Sequence, residues 1–300
     1  MILNLNLSAV GEKIDEYYKN SELKIDRKSI LDIADILKQG ITEEQFNQFN
    51  DFLTDSPNLA VCLTNLFSID DEKLAYLVHE ALSTHIFGVK DYTYPHEKHK
   101  LVYPKAEGKS FGEWSHGAQV ISPHCDDVYE SVEVDLLSLT TCRDKTSTPT
   151  LVFSCEEILS TLNKEDFEKI SNAKGIFISG KNVVGTKLQQ IKPIIEKDET
   201  GKVIRYNLDF RIDKEVGKRF RMEDENLEHI IDKLRNNVLD CNYAESVSKT
   251  GSFIIFNNRL AMHSRKPLPT GIPLVNDLSS AHRLLFRSRG QRTQYAEFAC

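Results

Sequence analysis

Cysteine pairs, basic blocks and long apolar runs are what this chain of 300 residues lacks. Its six cysteines (Cys62, Cys125, Cys142, Cys155, Cys241 and Cys300) stand far apart, with no CxxC pair. Neither a disulfide scaffold nor a closed thiolate zinc site is therefore written into it. Scattered thiols in a chain this long read as free cysteines of a reducing compartment, so the expectation is a cytoplasmic protein. The opening MILNLNLSAVGEK has no basic start and breaks its apolar run with asparagines, unlike a secretory signal. No run approaches the roughly 18 apolar residues of a membrane span. Lysine and arginine form no block and the formal charge is -7, which sets aside nucleic acid and anionic membrane as partners. Repeats, low-complexity tracts and linkers are missing too.

What is present is ordinary globular chemistry: 40% hydrophobic and 28% charged residues, enough to bury a sizeable core without a staple. The first ninety residues read as mostly helical. Ile30, Ile33, Ile36 and Leu37 share one helical face with Gly40 as a stop. Thr42 and Gln45 form a capping box for a second helix that turns Phe46, Phe49 and Leu53 inward. Leu74, Leu77, Val78, Ala81 and Leu82 mark a third, ending near Gly88. From about residue 100 the period shortens: GAQVISPH, VEVDLLSLTT, TLVFS, KGIFIS, KVIRYNLDF, GSFIIFN and HRLLFRSR are β-branched or aromatic runs bounded by turn residues. Two helical stretches interrupt them, EEILSTLNKEDFEKI and ENLEHIIDKLRNNV. Helices followed by many short strands give an α+β chain with a strand-built core such as a jelly roll. The expected organisation is one domain over 1–300: a mainly helical 1–95, a core over 100–292, and a helical insert at about 220–240.

The stretch SPHCDDVYE is the most informative. If the strand VIS continues through it, His124 and Asp126 share one face and Cys125 takes the other. An imidazole beside a carboxylate is two thirds of a facial metal triad, and a distant histidine completes it. His263, on the strand that returns after the turn Asn257-Asn258, is the best third ligand. Two neutral nitrogens and one carboxylate with open positions suit Fe(II); all-oxygen sites suit Mg or Ca instead. Taken alone, HxD arises by chance in many chains. Nine histidines offer other third ligands, although His79, His85 and His229 sit in helical patterns as packing or surface residues, and His282 flanks a strand.

A second constellation adds weight. HRLLFRSR puts Arg283, Arg287 and Arg289 on one strand face, starting twenty positions after His263. Inward arginines are costly unless they meet anions, and a guanidinium holds a carboxylate through two parallel hydrogen bonds. Charged residues on a solvent-facing edge strand would read the same way, and the pattern leaves both open.

Together PHCDD, TPTLVFS, FNNRLAMHSRKPL and HRLLFRSR, in this order over roughly residues 115 to 290, resemble the clavaminate synthase-like (TauD-type) branch of the Fe(II)- and 2-oxoglutarate-dependent oxygenases. The resemblance implies a double-stranded β-helix (jelly roll) core with a helical N-terminal region and helical insertions. It implies that His124, Asp126 and His263 hold iron, and that 2-oxoglutarate and O2 are cosubstrates. Arg283, supported by Thr150, would bind the distal carboxylate of 2-oxoglutarate. Arg287 resembles the arginine that meets the α-carboxylate of the prime substrate. The turn Asn257, Asn258, Arg259 is similar to the family's turn before the distal histidine. GIPLVNDLSS lengthens the gap before Arg283, and Asn207, with Asp209 two along, stands where relatives carry a substrate-touching acid. Related halogenases replace the carboxylate ligand by a small residue, and Asp126 therefore points to hydroxylation.

The substrate that follows is a free L-amino acid, most readily lysine, with arginine, asparagine or a tethered amino acid as alternatives; a homo-oligomer stays open. A basic side chain needs carboxylates, and Asp209, Asp213, Glu130 and Asp127 are available, each otherwise a solvated surface group. Trp114 and His116 in FGEWSHGAQ could line a pocket or serve the core. Two rival readings remain. PHCDD also resembles the PHPDD-type motif of zinc-dependent N-acetylglucosaminyl deacetylases, but the HxxH pair (His96 and His99) precedes it and the order is wrong. A non-catalytic jelly-roll binding module would have to keep a carboxylate and two imidazoles together without a metal.

Overall fold

Two sheets face each other, and each buries its outer surface under helices. The structure is a computed structural model that describes residues 2–54, 58–91, 101–102, 104, 117–180, 188–213, 216–246 and 248–292. The large sheet runs in the order Ile2–Asn6, Ala60–Thr64, Ser252–Asn257, Leu136–Asp144, Arg283–Arg292, Val89–Asp91, with Leu101–Val102 also on Arg283–Arg292. Ile2–Asn6 and Ala60–Thr64 pair in parallel, and the other pairs are antiparallel. The small sheet is Ala244–Ser246, Thr150–Ser154, Ala261–Arg265, Ile121–His124.

Residues 208–211 extend the small sheet. Cys125 N–H donates to Leu208 O at 2.8 Å and Phe210 N–H to Pro123 O at 3.0 Å, setting His124 opposite Asp209. Arg219 N–H then donates to Arg211 O at 3.1 Å, and Ile178 N–H to Arg219 O at 2.8 Å. These bonds join the small sheet to Phe220–Met222, Lys174–Ile178 and Gln189–Pro193, so one curved surface lies opposite the large sheet.

The core follows the layers. Phe253, Ile255, Leu284 and Phe286 pack outward from the large sheet against helical Ile33, Leu37, Leu74, Leu77 and Val78. Between the sheets Ile254, Phe256 and Leu137 meet Val152 and Ala261. Outside the small sheet Phe153, Leu208 and Phe210 pack under Ile158, Ile170, Ile230 and Leu234. Ser252–Asn257 is buried on both faces, which is why GSFIIFN reads as a continuous apolar run.

The helix readings hold at Arg27–Gly40, Glu43–Thr54 and Glu72–Glu80, the last continued by a π-helical turn at Ala81–Ile86. The capping box is reciprocal: Gln45 N–H donates to Thr42 Oγ1 at 3.2 Å, and Thr42 N–H to Gln45 Oε1 at 3.0 Å. Phe49 and Phe52 are buried and Phe46 is half-buried; the side chain of Leu53 lies outside the described residues. Two readings change. The mainly helical N-terminal part also supplies two strands that went unread, Ile2–Asn6 and Ala60–Thr64 of the large sheet, and a further helix at Ser8–Asn20. The alternation of Leu3 and Leu5 with Asn4 and Asn6 was a strand signal. EEILSTLNKEDFEKI divides into Cys155–Ser160 and Lys164–Ser171, because Asn163 caps the second helix by accepting from Asp166 N–H at 2.8 Å.

Gly251 ties the loop after Ala60–Thr64 to the sheet at φ 75°, donating to Thr141 O at 3.0 Å while its carbonyl accepts from Leu66 N–H at 2.9 Å. A Cβ there would stand 1.9 Å from Phe67 O. Gly251→Ala therefore combines left-handed strain with a backbone clash, and the expected loss is at least ~2 kcal/mol. A lower urea midpoint at unchanged m would register it, and a wild-type midpoint would contradict it.

Candidate metal centre

Register brings the triad together. His263 on Ala261–Arg265 lies opposite His124 on Ile121–His124, and His124 lies opposite Asp209. Residues opposed across a ladder point to the same side, so these side chains emerge on one face. The ring centroids of His124 and His263 are 4.2 Å apart. One ligand atom from each of His124, Asp126 and His263 lies within 4.8 Å of the other two, the arrangement needed to share one ion.

His124 Nδ1 donates to Ser122 O at 2.8 Å, which leaves Nε2 with the lone pair, 3.4 Å from Asp126 Oδ1. Two lone-pair donors facing one another need a cation between them. Among the described residues Asp126 Oδ2 and His263 Nδ1 are buried without a hydrogen-bond partner. Burial raises the Asp126 carboxyl, but its contact with His124 and the positive surroundings that include Arg287 outweigh it and hold the group well below the usual carboxylate range. Burial and the neighbouring His124 press His263 down from 6.5 to about 3, so its ring is neutral and can ligate. An anionic oxygen beside two neutral nitrogens is a donor set for a divalent transition metal, and these residues fit iron(II).

The local geometry differs from the expected regular strand. The strand ends at His124, and Asp126 stands in the turn that follows. Asn258 clamps that turn: its Oδ1 accepts from Asp126 N–H at 2.8 Å, and its Nδ2 donates to Asp126 O at 3.1 Å and Val134 O at 2.8 Å. Asp127 takes φ 57° and does not turn to solvent. It is buried, 2.8 Å from Arg289 Nε, and accepts from Tyr129 OH at 2.9 Å.

The arginine strand faces inward. Leu284 and Phe286 pack with the helices, whereas Arg283 and Arg289 are buried and Arg287 is half-buried. The charge of Arg287 acts on Asp126 and His263. Arg283 is gripped from one side: Nη1 donates to Asp144, to Thr148 O at 2.9 Å and to Thr146 Oγ1 at 3.4 Å. Among the described residues its Nε and Nη2 have no acceptor, which leaves a two-pronged edge for a carboxylate. Arg265 stands near it, held by Gly117 O and Gln119 O at 2.6 Å each. Burial and the charge of Arg283 lower Arg265 to about 9. Thr150 is the register partner of Arg265, so its buried side chain emerges on the same face.

The remaining readings fare unevenly. Asn207 turns its amide away, donating to Pro193 O at 2.9 Å and Glu196 Oε1 at 2.6 Å, so it acts as a strand-edge tie. Asp209, Asp213, Glu130 and Asp127, read as surface acids, are all buried. Asp209 is gripped by Arg211, whose Nε and Nη2 reach its two oxygens at 2.9 and 2.6 Å. Arg219 pairs with Asp213 at 3.4 Å. Arg211, Arg219, Arg265 and Asp144 were missed; the period-two run Asn207, Asp209, Arg211 was the one available sign for Arg211. His79 is a packing residue, bonded to Thr140 Oγ1 and Ser288 Oγ at 2.8 Å each. His96, His99, Trp114, His116 and Cys300 lie outside the described residues. The other five cysteines are free, and no helix of the described residues is long and apolar enough to cross a membrane.

No protein-family model matches the sequence, and no curated protein matches it. Solved structures do. The non-heme iron oxygenase OrfP in complex with Fe, succinate and (3S)-hydroxy-L-Arg is similar at 14% identity and a TM-score of 0.70, over 98% of this chain and 95% of that one. OrfP with Fe and alpha-ketoglutaric acid matches at 15% identity and 0.69, over 98% and 95%. Asparagine oxygenase with Fe(II), 2S,3S-3-hydroxyasparagine and succinate matches at 12% identity and 0.71, over 97% and 93%. The chain has the jelly-roll fold of these oxygenases.

Two measurements test the centre. Mn(II) at about 100 times its dissociation constant should stabilise the protein by ~2.7 kcal/mol, and Asp126→Ala should remove that gain; an equal thermal shift in both proteins would place the metal elsewhere. Metal-stripped protein should lose stability as pH falls from 6.5 toward about 3, because the unfolded chain takes up a proton that His263 refuses in the fold. In His263→Gln that slope should be shallower, and an identical slope would remove His263 as its source.

Proposed function

We propose that the chain is an iron(II)- and 2-oxoglutarate-dependent oxygenase that hydroxylates an unactivated carbon of a free L-amino acid, with release of succinate and carbon dioxide. The observation that carries this reading is the convergence of His124, Asp126 and His263, with Asp126 Oδ2 and His263 Nδ1 unpartnered among the described residues, beside inward arginines. Neighbours of the same fold were solved with Fe and alpha-ketoglutaric acid, and with hydroxylated arginine or asparagine, which supports the same class.

Bound iron, with 2-oxoglutarate and dioxygen, would supply the oxidative decarboxylation and the C–H oxidation. The chain supplies position. His124, Asp126 and His263 would occupy one side of the ion and leave the other for cosubstrates. Arg283, braced through Nη1, would present Nε and Nη2 to the distal carboxylate of 2-oxoglutarate, with Thr150 beside it. Arg287, four residues along the same face, would take the α-carboxylate of the amino acid. The apolar pairs between the sheets, Ile254, Phe256 and Val152 among them, would keep water from the site.

Lysine is the finer reading that the sequence suggests, and its ammonium would need a carboxylate not already engaged. Asp209, Asp127 and Asp213 each have an arginine partner.

A panel of free amino acids with Fe(II), 2-oxoglutarate and ascorbate, read by mass spectrometry, tests the class. One panel member should gain a single oxygen with matching succinate. Zinc-dependent release of acetate from an acetylated sugar, with no succinate, would favour the deacetylase reading and reject this one. Arg283→Met should raise the KM for 2-oxoglutarate by roughly 10- to 100-fold, the worth of a charged hydrogen-bonded contact. Arg287→Ala should chiefly raise the KM for the amino acid. A common loss of kcat with both KM values unchanged would contradict these two roles.

A further inference from the structure

The inward face of the small sheet carries more guanidinium than its acids can use. Asp209 lies opposite His124, and Arg211 follows two residues along on the same face. The backbone pairing of Arg211 with Arg219 sets those two side chains on one side as well. Both are buried, with Arg219 at 2% exposure. Arg211 spends Nε and Nη2 on Asp209, and Arg219 reaches Asp213 through Nη2 alone, at 3.4 Å. Among the described residues Nη1 of Arg211 has no acceptor, nor do Nε and Nη1 of Arg219, whose Nε is fully buried. Two guanidinium groups side by side repel, and the charge of Arg211 helps lower Arg219 after burial, the larger cause. Arg211 also acts on the His263 ring, which keeps this pair within electrostatic reach of the triad.

The acids here are already matched. Both oxygens of Asp209 are held by Arg211, and Oδ1 also accepts from Arg211 N–H at 3.0 Å. Asp127 has Arg289 and Tyr129. A cationic side chain brought here would find these carboxylates occupied and two like charges ahead of it, a costly arrangement where the charges are desolvated. A carbonyl oxygen would meet donors that lack an acceptor.

We propose that Arg211 and Arg219 form the subsite for the side-chain end of the substrate, and that this end is a carbonyl oxygen acceptor. The substrate is then an L-amino acid ending in carboxylate or carboxamide, and not one ending in an amine or guanidinium. This rests on the oxygenase reading above and narrows its substrate. Arg211 is the half fixed by two bonds to Asp209, and Arg219 the less engaged half, held through Nη2 alone.

The test separates the two levels. Protein loaded with Mn(II) and 2-oxoglutarate, which does not turn over, is titrated by calorimetry with glutamate, glutamine, aspartate, asparagine, lysine, arginine and leucine. One of the first four should bind at least tenfold more tightly than the last three, and which one separates carboxylate from carboxamide. Removing Arg219 alone would take the guanidinium from a buried Asp213 carboxylate and destabilise the fold. The variant is therefore Arg219→Met with Asp213→Asn, expected to weaken that binding about 10- to 100-fold while leaving 2-oxoglutarate affinity unchanged. Tightest binding by lysine, arginine or leucine overturns the subsite and leaves the oxygenase standing, as does wild-type affinity in the double variant. A panel in which nothing binds, although 2-oxoglutarate does, overturns the subsite and the free-amino-acid class together. Failure to bind 2-oxoglutarate overturns the oxygenase reading itself.

Discussion

Charge taken out of water has to be matched, and that constraint shapes the space between the two sheets. Asp126 is buried beside two imidazoles with one oxygen unpartnered, which is sustainable only with a cation at hand. Everything around it serves to hold that carboxylate in place. Asn258 closes the turn that carries it by bonding both its N–H and its carbonyl. Arg287 contributes positive charge from the opposite sheet, and Ser122 orients the imidazole of His124.

The same rule explains an inverted strand. Arg283–Arg292 sends Leu284 and Phe286 outward, although outward in most sandwiches means solvent. Here the outer face of the large sheet lies under helices, so the apolar side chains belong there and the arginines can turn in. Helical Ile33, Leu37, Leu74 and Leu77 thus have a bearing on the site that they never touch. They cover one face of the sheet, which frees the other to carry guanidinium groups toward His124, Asp126 and His263. His79 takes part in the same layer, joining Thr140 and Ser288 from two neighbouring strands beneath the helix.

Legibility in the sequence followed the range of the interaction. His124 and Asp126 were found by an assumed strand alternation, yet the strand stops at His124 and a turn brings Asp126 round. The two side chains still converge, by a different geometry, because a two-residue spacing survives either conformation. Asp127 was misread for the same reason: alternation sends it to solvent, whereas its positive φ sends it to Arg289. Asn207, singled out as a substrate contact, is committed to a neighbouring strand edge. The strand Ile2–Asn6 went unread because its alternation of leucine and asparagine was weighed only as a broken apolar run.

What the sequence determined alone is local: the capping box at Thr42, the apolar run through Phe256, the arginines spaced along one strand, and the close pair His124 and Asp126. Each depends on dihedral periodicity or on neighbours a few residues apart, and such patterns persist in a string of letters. Tertiary structure decided which charges meet. Arg219 faces Arg211, Asp144 braces Arg283, and His263 lies opposite His124, because strands distant in the chain hydrogen-bond in one register. That register is set by the whole sandwich burying its two faces at once, a condition no short stretch of sequence contains.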